Sequence, residues 1–185
     1  MKNDKMKKNS IILLETERLK LRHLQPADFD ELFKLNSDPE VMKYINGGNP
    51  ETREKVEKFL SGCLKYYEKN PDLGLFAALS KNDNSFLGWV CLKHLDDTDE
   101  IEVGYRLHKK FWNRGFATEG ARKLVEYGFK NLQLQRIVAV ALPENKASIR
   151  VMEKCGLTYR RIADHYGFHC VYYSLTKKGW EKLRS

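Results

Sequence analysis

Seven residues, Trp112-Asn113-Arg114-Gly115-Phe116-Ala117-Thr118, lie where a strand pattern gives way to a helical one. The start of a helix leaves backbone N–H groups without partners, and the aligned peptide dipoles add partial positive charge there. A phosphate group binds well at such a place. Gly115 lets the backbone turn and come close to a ligand, and Ala117 is small enough to permit the same approach. Arg114 adds a full positive charge. The spacing is not Gly-x-Gly-x-x-Gly and lacks the Gly-Lys-Ser/Thr of a nucleoside-triphosphate loop. On this segment alone, Gly115 serves a plain turn as well as a phosphate site.

The elements around this loop follow from apolar periodicity. Ile11 to Leu24 reads as one extended strand. Pro26 opens a helix with Phe29, Leu32, Phe33 and Leu35 on its apolar face, and a short helical turn follows at Pro39–Tyr44. After Gly47-Gly48, Asn49 is expected to cap a helix with Pro50 at its first position. Val56, Phe59, Leu60, Cys63 and Tyr67 recur at its helical spacing. Leu73–Ser80, Phe86–His94 and Glu100–Leu107 read as an antiparallel meander. The loop then leads into a strongly amphipathic helix carrying Ala117, Ala121, Leu124, Val125, Gly128, Phe129 and Leu132 inward. Arg136–Leu142 is a strand, Asn145 caps a helix ending at Cys155-Gly156, and strands near Leu157–Ala163 and His169–Thr176 close the order. This succession of strands and helices implies an α/β fold, a mixed sheet with helices on both faces.

With 185 residues and 42% hydrophobic content, the chain suits one domain, expected over 11–185 behind a disordered basic tail at 1–10. Much of the formal charge of +8 sits in that tail, at Lys2, Lys5, Lys7 and Lys8. The other basic residues interleave with acids, which favours a solvated mixed surface over nucleic-acid binding. No apolar run reaches the roughly 20 residues of a membrane span or the roughly 7–15 of a signal-peptide core, so the expectation is cytoplasmic, without a membrane partner. Cys63, Cys91, Cys155 and Cys170 form no CxxC pair, and His23, His94, His108, His165 and His169 show no metal spacing. The expectation is reduced, mostly buried thiols and no metal. His165 and His169 flank a hairpin turn and could face a substrate, although exposed turn histidines are commoner.

Phe111 to Gly120 resembles the pyrophosphate loop of the GNAT acetyltransferase superfamily, Arg/Gln-x-x-Gly-x-Gly/Ala, with Gly115 and Ala117 matching. Trp112 stands where Arg or Gln is commonest, as in the RimJ/RimL-type branch. Glu15–Arg22, Ser37–Tyr44, Glu102–Leu107 and Asn145–Leu157 resemble further segments of that branch, in order, over roughly residues 13–180. The resemblance implies a GNAT-like mixed, mostly antiparallel sheet with helices on both faces and a splayed coenzyme cleft. It implies acetyl-CoA as acetyl donor and an amine as acceptor: a protein N-terminus such as that of a ribosomal protein, or a small amine such as a polyamine or antibiotic. A coenzyme-binding module with little transfer, and a homodimer, stay open.

The pyrophosphate is then expected on the amides of Asn113, Arg114, Gly115, Phe116, Ala117 and Thr118, and the pantetheine arm beside Tyr105 and Leu107. Asn145 and Ser148 cap the later helix and, by resemblance, touch the coenzyme arm. Amine attack on a thioester needs a proton acceptor for the amine and a donor for the leaving thiolate. Many family members use a tyrosine as donor, but its place here holds Met152; the resemblance to the RimJ/RimL-type branch, where a serine on this helix is a proposed substitute, makes Ser148 the candidate acid. Glu102 is the candidate base, directly or through water, with Glu100 on the same strand face in reserve. An ordinary surface carboxylate or ion-pair partner is the equal alternative for Glu102.

Overall fold

A computed structural model describes residues 13–184. The basic segment 1–10 lies outside the described residues. Eight strands are described: β1 Leu13–Glu15, β2 Leu19–His23, β3 Gly74–Ser80, β4 Phe86–His94, β5 Ile101–Leu107, β6 Arg136–Ala141, β7 Thr158–His165 and β8 Phe168–Thr176. They form one sheet in the order β1-β2-β3-β4-β5-β6-β8-β7. All neighbours run antiparallel except β5 and β6, which are parallel. The helices are α1 Phe29–Asn36, α2 Pro39–Asn46, α3 Arg53–Lys69, α4 Phe116–Lys130, α5 Lys146–Lys154 and α6 Lys177–Lys182. The mixed, mostly antiparallel sheet flanked by helices is the architecture expected from the sequence.

Three local expectations need correction. The stretch read as one strand turns back on itself, so β1 and β2 form a hairpin. The turn is held by Thr16, whose hydroxyl accepts from the Leu19 N–H (2.8 Å) while its own N–H donates to the Leu19 carbonyl (2.9 Å). Asn49 and Pro50 do not open a helix. Asn49 is tied back to Asn46, and α3 begins at Arg53 with the Thr52 hydroxyl as its cap. The closing helix α6, capped by the Thr176 hydroxyl, was not anticipated, because its six residues carry too little apolar periodicity to mark it.

The two faces of the sheet bury different sets of side chains. Leu87, Val90 and Leu92 of β4, Val103 and Leu107 of β5, and Ile137 and Ala139 of β6 pack with Ala121, Leu124, Val125 and Phe129 of α4. Phe86, Trp89 and Cys91 of β4 pack on the other face with Leu32 and Leu35 of α1 and Val56, Leu60 and Cys63 of α3. Further along that second face lies a smaller cluster of Leu95, Val138 and Tyr172. Along β5 the alternation therefore sends Val103, Tyr105 and Leu107 toward α4 and α5. It sends Glu102, Gly104 and Arg106 toward the face of α1 and α3.

Phe86 shares a face with Trp89 only because β4 carries an extra residue. Ala78 pairs with Gly88 and Leu79 with Phe86, so Leu87 has no partner on β3. Gly88 has φ +139°, and a Cβ there would sit 2.1 Å from the Arg106 carbonyl oxygen. That oxygen belongs to backbone and cannot yield. Gly88→Ala is therefore expected to cost about 3 kcal/mol, the upper range of an overpacked site. The check is a lowered denaturation midpoint. An unchanged midpoint would mean that β4 and β5 can separate without penalty.

Candidate active site

The β5–β6 junction departs from regular pairing. Seven register pairs join β4 to β5 and six join β6 to β8, but β5 and β6 meet at one pair, Glu102 opposite Val138. Beyond it the strands part, and the β6-facing edge of β5 from Gly104 to Leu107 is free for an extended ligand arm. Main-chain groups on such an edge recognise an added strand-like segment. Tyr105 and Leu107 stand on the part of β5 where this was expected.

The loop at the end of β5 fits a phosphate. The Trp112 indole N–H donates to the Leu107 carbonyl (2.7 Å) and ties the loop to the strand. Asn113 and Gly115 both have left-handed backbones, at φ +58° and +82°. α4 then starts at Phe116 with no side chain capping its N-terminus. Its first-turn N–H groups, at Phe116, Ala117 and Thr118, precede the first intrahelical bond, Glu119 N–H to Gly115 C=O at 2.9 Å. Residues 112–115 are exposed. Unused donors, a positive helix end and the Arg114 guanidinium suit a diphosphate.

A residue that sequence reasoning passed over braces this loop. Arg18, in the β1–β2 turn, donates from Nη1 to the Arg114 carbonyl (3.0 Å) and from Nε to Glu119 Oε2 (2.6 Å). The Arg18 N–H and the Thr16 hydroxyl both donate to Glu119 Oε1, at 2.8 and 2.5 Å. The Arg18 guanidinium also lies over the Phe116 ring, 4.3 Å from its centre. Burial alone would raise the Glu119 pKa, but these hydrogen bonds and the Arg18 charge outweigh it and hold it below the usual value. The pair cancels an acidic charge that would otherwise repel a phosphate on the same helix turn. The available signal was the run Glu15-Thr16-Glu17-Arg18, which in the sequence reads only as part of the opening strand.

On the α5 side, Asn145 caps the helix as expected, its Oδ1 accepting from the Ser148 N–H (3.1 Å). Ser148 is also met by Tyr105. The phenol donates to the Ser148 carbonyl (2.8 Å), and the two hydroxyls are 2.9 Å apart. Burial pushes the Tyr105 phenol above its ordinary pKa, so it keeps its proton at neutral pH. Met152 is 3% exposed and part of the core.

On the opposite face, Glu102 is 7% exposed. Its Oε1 accepts from the Lys93 ammonium (2.5 Å) and from the Tyr166 hydroxyl. Burial disfavours the Lys93 charge, but Glu102 and its other neighbours outweigh that and raise its pKa. Tyr166 sits at the β7–β8 turn, where it and Gly167 both have positive φ, the geometry of a two-residue hairpin loop. The turn is pinned by Asp96, whose carboxylate accepts from the Tyr166 N–H (2.8 Å) and whose N–H donates to the Tyr166 hydroxyl (3.0 Å). Glu102 is thus an internal ion-pair carboxylate, while Oε2 takes no hydrogen bond from the described residues. Glu100, the reserve, accepts instead from Tyr172 (2.6 Å). His165 is buried beside Tyr172, whereas His169 is exposed and paired with Asp164. Among the described residues no group of His, Cys, Asp and Glu could hold a metal.

Residues 18–158 match the family model described as "Acetyltransferase (GNAT) domain". The chain belongs to the GNAT acetyltransferases. As a GNAT enzyme it is an acetyl-CoA-dependent N-acetyltransferase. It is 33% identical over 154 residues to the FsC-acetyl coenzyme A-N(2)-transacetylase of Aspergillus fumigatus, covering 79% of this chain and 65% of that protein. It is 34% identical to the uncharacterized protein YkkB of Bacillus subtilis, covering 83% of this chain and 89% of YkkB. Its fold matches the acetyltransferase from Agrobacterium tumefaciens with a TM-score of 0.79 at 26% identity, over 90% of this chain and 95% of that one. Two more distant structures share the fold alone. They are RimL, the ribosomal L7/L12 alpha-N-protein acetyltransferase in complex with coenzyme A (TM-score 0.75, 15% identity, 89% and 98% covered), and spermidine N-acetyltransferase from Vibrio cholerae with CoA and spermine (0.72, 17%, 90% and 99%).

Two outcomes follow for the loop. Gly115 has φ +82°, and a Cβ there would meet the Arg18 guanidinium at 3.3 Å. Gly115→Val is expected to weaken acetyl-CoA binding strongly in a folded protein; unchanged affinity by calorimetry removes the loop from the site. A carboxylate with a lowered pKa contributes stability above its unfolded pKa and loses it as pH falls through the folded value. The Arg18–Glu119 contribution should therefore be present above about pH 4.5 and fade below it. Thermal melts of Glu119→Gln should show a smaller loss across that acid window than the parent. An identical pH profile in the variant would mean the clamp contributes nothing.

Proposed function

We propose that this GNAT enzyme acetylates the α-amine of a protein N-terminus in the cytoplasm, as a RimJ/RimL-type member. The observation that carries the reading is the parted β5–β6 pair, with a carboxylate on one face of β5 and a hydroxyl pair on the other. The sequence resemblance over residues 13–180 and the RimL fold match support the branch. Four cysteines, all free and buried, suit a reducing compartment. No helix among the described residues is long and apolar enough to cross a membrane.

Acetyl-CoA, when bound, supplies the acetyl group as a thioester, whose C–S bond breaks as a C–N bond forms. The first-turn amides of α4 and Arg114 hold its diphosphate, and the free edge of β5 from Tyr105 to Leu107 holds its arm. Asn145 and Ser148 border that arm from α5. Glu102 takes the proton lost by the attacking amine on Oε2, directly or through a water, while Lys93 and Tyr166 keep the carboxylate in place. Ser148 gives a proton, or a polarising hydrogen bond, to the departing sulfur. Tyr105, whose hydroxyl donates to the Ser148 carbonyl, positions the Ser148 hydroxyl, which regains its proton from solvent. The products are an amide and a free thiol, and the proton taken by Glu102 balances the one given to sulfur.

Glu102→Gln should lower turnover by roughly 10²–10⁴-fold near neutral pH, the usual worth of a general base, with the loss shrinking at high pH. Ser148→Ala should lower turnover while nearly keeping coenzyme affinity. Release of free thiol from acetyl-CoA, measured against pH with peptide and small-amine acceptors, reports both. A Glu102→Gln loss that is small and the same at every pH would remove the base role. Wild-type turnover in a stable Ser148→Ala variant would remove the acid role.

A further inference from the structure

Arg106 lies on the same face of β5 as Glu102, four residues further along. Its surroundings make it an unusual place for a cation. Nη1 donates to a neutral partner, the Asn36 side-chain oxygen, at 2.8 Å. Asn36 in turn uses its amide N–H on Glu51 (2.8 Å), so the Glu51 carboxylate reaches Arg106 only through an intermediary. The Arg106 Nε–H is buried without an acceptor. The guanidinium lies 5.1 Å from the centre of the Trp89 ring, and the Trp89 indole N–H is likewise buried and unpartnered. Trp89 itself is 8% exposed. Ser37 Oγ and His108 Nε2, on residues adjoining Asn36 and the end of β5, are also buried without a hydrogen-bond partner among the described residues, although Glu31 Oε2 lies 3.9 Å from the imidazole. The remaining terminal nitrogen, Nη2, takes no hydrogen-bond acceptor among the described residues and is not one of those buried atoms.

Buried donors without acceptors and a charge without an ion-pair partner both cost stability. Burial lowers the Arg106 pKa to about 10 even though the nearby Glu51 charge opposes it. A residue chosen for stability here would be neutral and apolar, like its neighbours in the core. An incoming anion repairs the arrangement, because a guanidinium binds a carboxylate through paired N–H donors in a fixed fork.

We propose that Arg106, flanked by Trp89, binds a carboxylate on the acceptor, so that the enzyme selects amines carrying an acidic group a few residues from the reacting nitrogen. The inference rests on the transferase reading, since Glu102 marks the amine end. Four strand residues separate Glu102 from Arg106, or about 13 Å. An extended peptide advances about 3.3–3.6 Å per residue, so this span is about four steps and sets the acidic side chain near the fifth position from a free N-terminus. The same geometry disfavours a polyamine, whose second ammonium would meet the guanidinium. It thereby separates two acceptor classes that the shared fold leaves equal.

The test uses two peptides that differ only in charge, Ala-Ala-Ala-Ala-Glu-Ala-amide and Ala-Ala-Ala-Ala-Gln-Ala-amide. Binding to the full chain with CoA is read by calorimetry, and acetyl transfer is followed separately. The wild type is expected to bind the glutamate peptide about tenfold more tightly, the worth of one charged hydrogen-bond pair. Arg106→Gln should bring the two affinities together, and Arg106→Lys, which keeps charge but loses the fork, should retain part of the preference. Equal binding of both peptides by the wild type, no binding of either, or a preference that survives in Arg106→Gln would overturn the proposal. Should Arg106→Gln fail to fold, the wild-type preference and the Arg106→Lys variant decide. Preferential binding of the glutamate peptide without acetyl transfer would sustain Arg106 as the anion site while refuting the peptide-acetylation reading.

Discussion

A sheet normally satisfies every interior backbone N–H and C=O through its neighbours, and leaving them unpaired is costly. This sheet breaks that rule at its centre, where β5 and β6 share one register pair and then separate. The break is tolerable because each strand is secured on its other side, β5 to β4 and β6 to β8, in long antiparallel ladders. What remains is an internal edge with a fixed shape. The direction of β5 then settles where everything else goes. Its end leads into the phosphate loop, and its two faces carry a carboxylate and a phenol to opposite sides of the gap.

The loop is held by electrostatics as well as by sterics. Glu119 stands in the first turns of α4, the positive end of the helix, where its charge is welcome to the helix dipole but not to a bound diphosphate. Arg18 resolves the conflict by pairing with it and gripping the Arg114 carbonyl as well. The β1–β2 hairpin is therefore part of the coenzyme site, although it is distant in sequence. On the other face, the β7–β8 turn plays a similar part through Tyr166, which fixes Glu102 from outside the sheet.

Much of this was legible in the sequence. The meander from Leu73 to Leu107, the amphipathic α4 and the Asn145 cap depend on local periodicity and capping chemistry, which the chain displays openly. The turn at Thr16 was missed because Glu15-Thr16-Glu17-Arg18 holds no Gly, Pro, Asn or Asp to mark it. Thr52 was passed over as a cap because Asn49-Pro50 offered a stronger local signal. Arg18, Tyr166, Lys93 and Arg106 were missed for a different reason. Their partners lie 101, 64, 9 and 70 residues away, at Glu119, Glu102, Glu102 and Asn36, and only the folded sheet brings them together. Spacing along one strand suggested Glu102 but could not reveal that its charge is shared with Lys93.

The four buried cysteines carry a consequence for an enzyme that releases a free thiol at each turnover. Exchange between a thiol and a disulfide proceeds through the thiolate, and a buried thiol held protonated is a slow partner. Burial pushes Cys63, Cys91 and Cys155 each up to about 12 and raises Cys170 as well. Cys155 adjoins the carbonyl of Thr118, at the start of α4. A reactive sulfur there would be captured as a mixed disulfide with oxidised coenzyme and would block the loop. Keeping it protonated and out of reach makes the protein a poor trap for its own by-product when the surrounding redox balance shifts.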